Sequence, residues 1–219
     1  MEDKSAILVG ASGLVGGELL NFLLQGEQYS KVIVLGRRPL NITHPKLEEI
    51  IVDFEYLDEY KESFSVDDVF CCLGTTIKKA KTKEGFKKVD VDYVLSLARI
   101  AKEMKVEKFL IVSSMGANQG SAIFYSKMKG LVEESLKKIG FNSLHIFRPS
   151  LLLGKRQEVR SGEAAASVLS QLLLFMFRGP LRKYRPIDAK VVAKGMYRAA
   201  QKERDGHYIY MSDEIFNLS

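Results

Sequence analysis

The stretch Ser5-Ala-Ile-Leu-Val9, followed at once by Gly10-Ala-Ser-Gly13-Leu-Val-Gly16-Gly17, decides the fold of this chain. Its first part is a short apolar run, and residues 18–25 continue with apolar side chains at helical spacing. This order predicts a strand, a glycine turn and a helix. Glycines at such a turn let the backbone bend tightly. The free amides and the positive dipole end of the new helix then suit a pyrophosphate.

The next predicted strand, residues 31–35, ends in Gly36-Arg37-Arg38. In dinucleotide-binding folds an acidic residue near this position binds the 2′-hydroxyl of the ribose, whereas an arginine accommodates a 2′-phosphate. No Asp or Glu lies between Gln28 and Lys46. The sequence therefore favours NADP(H) over NAD(H). A solvated strand end is the alternative interpretation of the two arginines.

Strand and helix patterns alternate along the rest of the chain. Apolar runs predict strands at residues 49–53, 66–73, 108–113, 143–147 and 208–211. Helical patterns lie at residues 84–105, 123–139, 163–177 and 188–202. This alternation predicts one α/β domain over residues 1–219, with a doubly wound, mostly parallel sheet and helices on both faces. Ligands of such sheets bind at the carboxyl ends of the strands.

Composition indicates a globular domain and argues against several other classes of protein. Hydrophobic residues make up 46% and charged residues 27% of the 219 positions, as in ordinary soluble domains. The longest apolar stretch, residues 164–177, is too short to span a membrane. No basic leader with a cleavage site opens the chain, so a cytoplasmic location is expected. The net charge of +6 suits an anionic ligand, and nucleic-acid binding, which rests on charge alone, is not expected.

The cysteines and histidines give no metal motif. Cys71 and Cys72 are adjacent in an apolar segment and are expected to be small core residues in a reducing compartment. His44, His145 and His207 are dispersed, without partners at ligand spacing. No metal site is predicted.

Tyr125 and Lys129 lie four residues apart, on one face of the helix predicted at residues 123–139. A phenol is a poor proton carrier at neutral pH, and an ammonium beside it favours the phenolate and makes it a usable acid or base. Taken alone, such a pair is more often an ordinary surface pair. Ser113 and Ser114 end the preceding strand, on the same predicted edge of the sheet.

Together, Gly10-x-x-Gly13-x-x-Gly16, Ser114, Tyr125-x-x-x-Lys129 and Arg148-Pro149 resemble the short-chain dehydrogenase/reductase superfamily in its atypical single-domain form. More narrowly, the chain resembles the Tat-interacting-protein branch of that superfamily. The motifs of the narrower resemblance are Cys72-Leu-Gly-Thr-Thr76, Glu84-Gly-Phe86, Val89-Asp-x-Asp-Tyr-Val94, Ser113-Ser-x-Gly-Ala117, Phe147-Arg-Pro149 and Arg156-Gln-Glu158-x-Arg160. The resemblance implies a Rossmann-like fold, bound NADP(H) and a tyrosine proton donor, and it leaves the substrate open.

The resemblance also implies roles for single residues. Tyr125 would give a proton to a carbonyl oxygen, Ser114 would hydrogen-bond that oxygen, and Lys129 would hold the ribose. The residues implied to contact the cofactor run from the pyrophosphate turn to the nicotinamide: Gly10, Ser12, Gly13, Leu14, Val15, Gly16, Arg37, Arg38, Asp53, Leu73, Gly74, Ser113, Lys129, Arg148, Leu152 and Arg160.

Asp90 departs from the pattern of the superfamily. Many members place an asparagine on the fourth helix to complete a proton relay, and Asp90 is the nearest residue to that position here. A carboxylate cannot donate a hydrogen bond as an amide does. The alternative is that Asp90 or Asp92 simply begins a helical surface.

Two functions of different classes are compatible with these residues. The first is an NADP(H)-dependent oxidoreductase acting on a small carbonyl or alcohol. Residues 150–187 would form its substrate-side lid, and their apolar helix with a basic end suggests a hydrophobic or anionic substrate. The second is an NADPH-binding regulatory or scaffold protein with little turnover. The apolar helix fits a homodimer, protein-partner or membrane-surface contact equally well.

Overall fold

The computed structural model of the chain describes residues 4–154 and 179–219. Its main strands are β1 (Lys4–Val9), β2 (Tyr29–Gly36), β3 (Leu47–Ile51), β4 (Asp68–Cys71), β5 (Lys108–Val112), β6 (Ser143–Arg148) and β9 (Gly206–Met211). They form one seven-stranded parallel sheet in the order β3-β2-β1-β4-β5-β6-β9. Two short strands, β7 (Leu152–Leu153) and β8 (Ile187–Asp188), pair with each other. The predicted doubly wound, parallel α/β sheet is confirmed.

Helices cover both faces of this sheet. They are α1 (Leu14–Gln25), α2 (Ile77–Ala80), α3 (Lys83–Lys87), α4 (Tyr93–Glu103), α5 (Phe124–Ile139), α6 (Ala189–Ala200) and α7 (Ser212–Leu218). Leu19 of α1 and Val192 of α6 belong to the core on one face. Leu97 of α4 and Val132 of α5 belong to the core on the other. Because the sheet is covered twice, its central strands are apolar almost throughout.

The winding direction of the chain reverses at β1. This strand pairs with β2 on one side and with β4 on the other, so the chain winds outward in two opposite directions from it. Doubly wound sheets bind their ligands at the carboxyl ends of the strands, in the crevice opened by this reversal. Gly10 and Cys72, which follow β1 and β4, border that crevice.

The helix predicted over residues 84–105 is three successive segments. A π-helical turn, Lys88–Asp92, separates α3 from α4. This turn buries the neighbouring residues Asp90 and Val91 together, at 1% and 2% exposure. The helix predicted at residues 163–177 lies outside the described residues, as does most of the lid predicted at residues 150–187.

Candidate dinucleotide and active site

The turn after β1 is built so that two of its glycines admit no side chain. Gly10 has a φ of +87°, and a Cβ there would lie 2.5 Å from the carbonyl oxygen of Cys72. A Cβ on Gly16 would lie 2.1 Å from the carbonyl oxygen of Gly10. Both clashes are with backbone, which does not move aside. The two residues therefore fix the close contact between β1, β4 and the start of α1.

Gly13 has a different task from the other two glycines. It is the N-cap of α1, and no side chain caps the helix there. A Cβ on Gly13 would meet only the Gly10 carbonyl, at 3.2 Å, within the described part of the chain. Ser12 beside it is exposed. The Gly13 amide donates to the Gly10 carbonyl at 2.9 Å. The amides that a helix start leaves for an anion are therefore those that follow it, from Leu14 and Val15. The predicted pyrophosphate contacts of Ser12 and Gly13 stay predictions.

The carboxyl end of β2 presents cations. Arg37 and Arg38 are exposed there. The nearest carboxylates along the edge strand β3 are engaged elsewhere: Glu48 forms an ion pair with Lys31 at 2.8 Å, and Glu49 accepts a hydrogen bond from the amide of Leu40 at 2.7 Å. The end of β2 is therefore positively charged.

Asp53 lies just past β3, on the same edge of the sheet. Its carboxylate accepts a hydrogen bond from the amide of Glu55 at 3.0 Å and so caps the following 3₁₀ turn. The side chain is exposed. This position is compatible with the cofactor contact that the resemblance implies for Asp53.

Asp90 joins the loop after β4 to helix α5. One carboxylate oxygen accepts from the amide of Thr75 at 2.8 Å. The other lies 2.8 Å from Nζ of Lys129, and the two side chains are 1% and 7% exposed. A Cβ on Gly74 would lie 3.7 Å from Asp90, so Leu73 and Gly74 run directly beside this ion pair.

Tyr125 lies one helical turn before Lys129. Its side chain is 38% exposed, and its ring packs edge-on against Phe86 with 5.6 Å between centroids. Burial by itself would lower the pKa of Lys129, but Asp90 and Tyr125 raise it above its ordinary value. The site therefore holds an accessible phenol next to a protonated, buried amine.

Glu133 is a site residue that the sequence reasoning missed. It is fully buried on α5 and accepts a hydrogen bond from the Ser113 hydroxyl at 2.5 Å. The guanidinium of Arg148 donates to both of its carboxylate oxygens, through Nε at 3.0 and 3.1 Å and also through Nη2. Position 133 continues the four-residue spacing of Tyr125 and Lys129, which is the pattern that could have revealed it.

Ser113 and Arg148, at the ends of β5 and β6, thus both donate hydrogen bonds to Glu133. Their predicted contacts with a cofactor stay predictions. The Ser114 hydroxyl donates to the neighbouring carbonyl of Met115 at 3.2 Å. The loop that follows is pinned to α5, since the Asn118 amide donates to Ser126 at 3.0 Å and Gly130 lets this loop approach the helix closely.

Leu152 lies in β7, opposite Ile187 of β8. It packs on the same hydrophobic core as Leu14 of α1, and a Cβ on Gly154 would lie 3.1 Å from the Leu14 side chain. The short β7–β8 sheet therefore sits beside the start of α1. Arg160 lies outside the described residues.

Within residues 4–154 and 179–219, no group of three His, Cys, Asp or Glu side chains is arranged to hold a metal ion. None of the helices described there is long and apolar enough to cross a membrane.

Comparison with known proteins identifies the family. A model of a family described as NAD(P)H-binding matches residues 10–144. Protein HTATIP2 of Rattus norvegicus is 44% identical over 167 residues, which cover 74% of this chain and 69% of that protein. The mitochondrial protein FMP52 of Debaryomyces hansenii is 34% identical over 195 residues, covering 87% of this chain and 84% of that protein.

Solved structures share the fold. UDP-glucose 4-epimerase of Thermotoga maritima aligns with a TM-score of 0.70 at 15% identity, over 97% of this chain and 80% of the epimerase. WbmH of Bordetella bronchiseptica, solved with NAD⁺, aligns with a TM-score of 0.72 at 16% identity, over 96% of this chain and 75% of that chain. At these identities the likeness establishes the fold alone.

The expected cytoplasmic location is wrong by the same comparisons. Relatives from Debaryomyces hansenii, Aspergillus terreus and Aspergillus fumigatus are named as mitochondrial proteins. The expectation rested on the pattern of the first residues, which does not by itself specify a compartment.

The family model spans the glycine turn after β1 and helix α5 with its buried lysine. The relatives extend the match over most of the chain. The chain belongs to the NAD(P)H-binding family, in the Tat-interacting-protein-like branch of the short-chain dehydrogenase/reductase superfamily.

Proposed function

We propose that this protein is an NADP(H)-dependent oxidoreductase that interconverts a small carbonyl compound and its alcohol. The observation that supports this most is the arrangement on α5. Tyr125 is exposed one helical turn from the ammonium of Lys129, which is buried and ion-paired to Asp90 at 2.8 Å. A protein that only binds a dinucleotide has no need of this pair beside its glycine turn.

NADP(H) bound in this site would supply or accept the hydride. Tyr125 would donate a proton to the carbonyl oxygen of the substrate, so that the product is a neutral alcohol. Ser114 turns its hydroxyl toward that oxygen and stabilises the developing negative charge. Lys129 binds the ribose hydroxyls with the hydrogens that Asp90 leaves free. In the reverse direction Tyr125 takes the proton back.

The proposed preference for NADP(H) rests on charge at the end of β2. Arg37 and Arg38 are exposed there, and the carboxylates of β3 are bonded to Lys31 and to the amide of Leu40. Two arginines are therefore available to bind the 2′-phosphate of NADP(H). Among the described residues of β2 and β3, no free carboxylate is available to accept a hydrogen bond from the 2′-hydroxyl of NAD(H).

The first prediction tests the role of Tyr125. Purified protein is incubated with NADPH and a panel of small carbonyl compounds, apolar and anionic, and NADPH oxidation is followed by absorbance. We expect Tyr125→Phe to lower turnover by about 10² to 10⁴-fold and to leave NADPH affinity within about threefold. Tyr56→Phe is the matched control, because Tyr56 is 60% exposed and lies outside the site. Turnover that survives Tyr125→Phe unchanged would overturn the assigned role.

A second candidate is an NADPH-binding regulatory protein with little turnover. One observation favours it: the Ser114 hydroxyl donates a hydrogen bond to the backbone carbonyl of Met115 and would have to break this bond to donate to a substrate. The names of HTATIP2 and FMP52 state no reaction. Stoichiometric NADPH binding without oxidation by any member of the panel would favour this candidate over the first.

A further inference from the structure

Asp90 is a buried carboxylate at the carboxyl edge of the sheet that contacts two elements at once. It is 1% exposed and arises from the π-helical turn, Lys88–Asp92, that precedes α4. It accepts from the backbone of Thr75 in the loop after β4 and pairs with Lys129 on α5. The carboxylate therefore fixes two predicted cofactor contacts, the Leu73–Gly74 backbone and the lysine, relative to each other.

We propose that Asp90 is a positioning residue for the dinucleotide site, which holds Lys129 in place and keeps it charged. This inference rests on the proposed function. It gives Asp90 a different task from a hydrogen-bond relay, because the residue contacts the lysine directly and its second oxygen is occupied by Thr75.

The surroundings of Lys129 show why a negative charge is needed. Three groups raise the pKa of Lys129 electrostatically: Asp90 from the π-helical turn, Tyr125 from its own helix and Cys71 from β4. Burial raises the pKa of Cys71 to about 12, so this thiol is neutral. Asp90 is the one carboxylate among them. Without its charge, burial favours the neutral amine, which binds a ribose hydroxyl more weakly than an ammonium does.

The same turn carries a matched control. Asp92 lies two residues further on, is exposed, and forms a surface ion pair with Lys87 at 3.3 Å. Exposed pairs of this kind contribute little. Asp90→Asn and Asp92→Asn therefore remove the same charge from the same segment, and only the first removes it from Lys129.

The test measures NADPH affinity by fluorescence titration between pH 6 and pH 9.5. We expect wild type and Asp92→Asn to share one profile. Asp90→Asn is expected to bind at least about tenfold more weakly at neutral pH and to weaken further as pH rises and Lys129 loses its proton. Asp90→Glu, which keeps the charge, is expected to recover part of the affinity. An Asp90→Asn profile that superimposes on that of wild type would overturn the inference.

Urea unfolding without cofactor tests the Asp90–Lys129 pair independently of NADPH. A wild-type protein that does not bind NADPH would refute the proposed function but would leave this second measurement valid. Asn at position 90 still accepts from Thr75 but leaves a buried ammonium unpaired. We therefore expect Asp90→Asn with Lys129→Met to unfold at a higher urea midpoint than Asp90→Asn alone. If Asp90 only bonded Thr75, adding Lys129→Met would not raise the midpoint, and the pairing with Lys129 would be refuted.

Discussion

At the scale of single residues, the end of β2 carries two cations in the place where a carboxylate would select a 2′-hydroxyl. Arg37 and Arg38 are both exposed, so their charge is available to a ligand without the cost of breaking an internal ion pair. This distinction was visible in the sequence, because it depends only on which residues follow the second strand.

Replacing Arg37 and Arg38 by alanine is expected to weaken NADPH binding by about tenfold or more and to leave NADH binding nearly unchanged. Each lost charge-assisted hydrogen bond acts on the 2′-phosphate, which NADH lacks. Isothermal titration of both dinucleotides measures the difference, with Arg99→Ala on the exposed side of α4 as the control. Equal affinity of wild type for NADPH and NADH would refute the preference.

Asp90 and Glu133 mark the limit of what the sequence could predict at this scale. Tyr125 and Lys129 were found from their spacing, since two residues on one helical face need only local geometry. The partner of a buried charge depends on elements far apart in the chain: Lys129 meets Asp90, and Glu133 meets Arg148, only after the sheet has formed. Spacing could place Glu133 on the same helical face as Tyr125 and Lys129, but it does not specify the partner of either buried charge.

At the scale of elements, the three glycines of the turn after β1 have two different tasks. Two of them allow close backbone contacts, and one is predicted to lie at the pyrophosphate. Gly10 and Gly16 are required by close backbone contacts, whereas a Cβ on Gly13 would make one milder contact, 3.2 Å from the Gly10 carbonyl oxygen. The strand, turn and helix were predictable because each has a local pattern. The π-helical turn at Lys88–Asp92 was not, since the apolar residues at positions 86, 94 and 97 fit a continuous helix equally well.

Alanine at positions 13 and 16 is expected to separate these two tasks. Gly16→Ala forces α1 away from the Gly10 carbonyl and is expected to lower the free energy of unfolding by about 1–3 kcal/mol. Gly13→Ala is expected to cost less stability than Gly16→Ala, because its methyl group lies 3.2 Å rather than 2.1 Å from the Gly10 carbonyl oxygen. It is also expected to weaken NADPH binding, because the methyl group lies at the predicted pyrophosphate position. Urea unfolding and NADPH titration measure both, with Gly17→Ala as control. A Gly13→Ala protein with unchanged NADPH affinity would show that the pyrophosphate does not lie there.

At the scale of the whole molecule, two buried groups give stability opposite pH dependences. Burial raises the pKa of Asp68 to about 6. The unfolded chain releases this proton near pH 4, so Asp68 lowers stability as pH rises through that window. Burial lowers the pKa of His145 to about 4. The unfolded chain binds a proton below about pH 6.5, so His145 lowers stability as pH falls. The two contributions offset each other between about pH 4 and pH 6.

Asp68→Asn is expected to remove one of these contributions and keep the hydrogen bond from Tyr29, because an amide oxygen also accepts. The difference in free energy of unfolding between this variant and wild type should favour the variant more at pH 7 than at pH 4, by up to roughly 3 kcal/mol. Urea unfolding across that range measures it. Asp67→Asn, which changes a half-buried neighbour bonded to Ser5, is the control. A difference from wild type that does not vary with pH would contradict this account.

The position of β1 in the middle of the sheet has a consequence for how the chain acquires its site. The glycine turn and the two arginines come from the wing formed by β1, β2 and β3, while Asp90 and Lys129 come from the wing that begins at β4. A chain in which only the first wing has folded holds the predicted adenosine half of the site and lacks the predicted nicotinamide half. Each parallel pairing also requires a crossover, which makes the assembly of such sheets slow. Tight retention of a dinucleotide would thus require both wings, and a half-folded chain would hold it more weakly than a finished one.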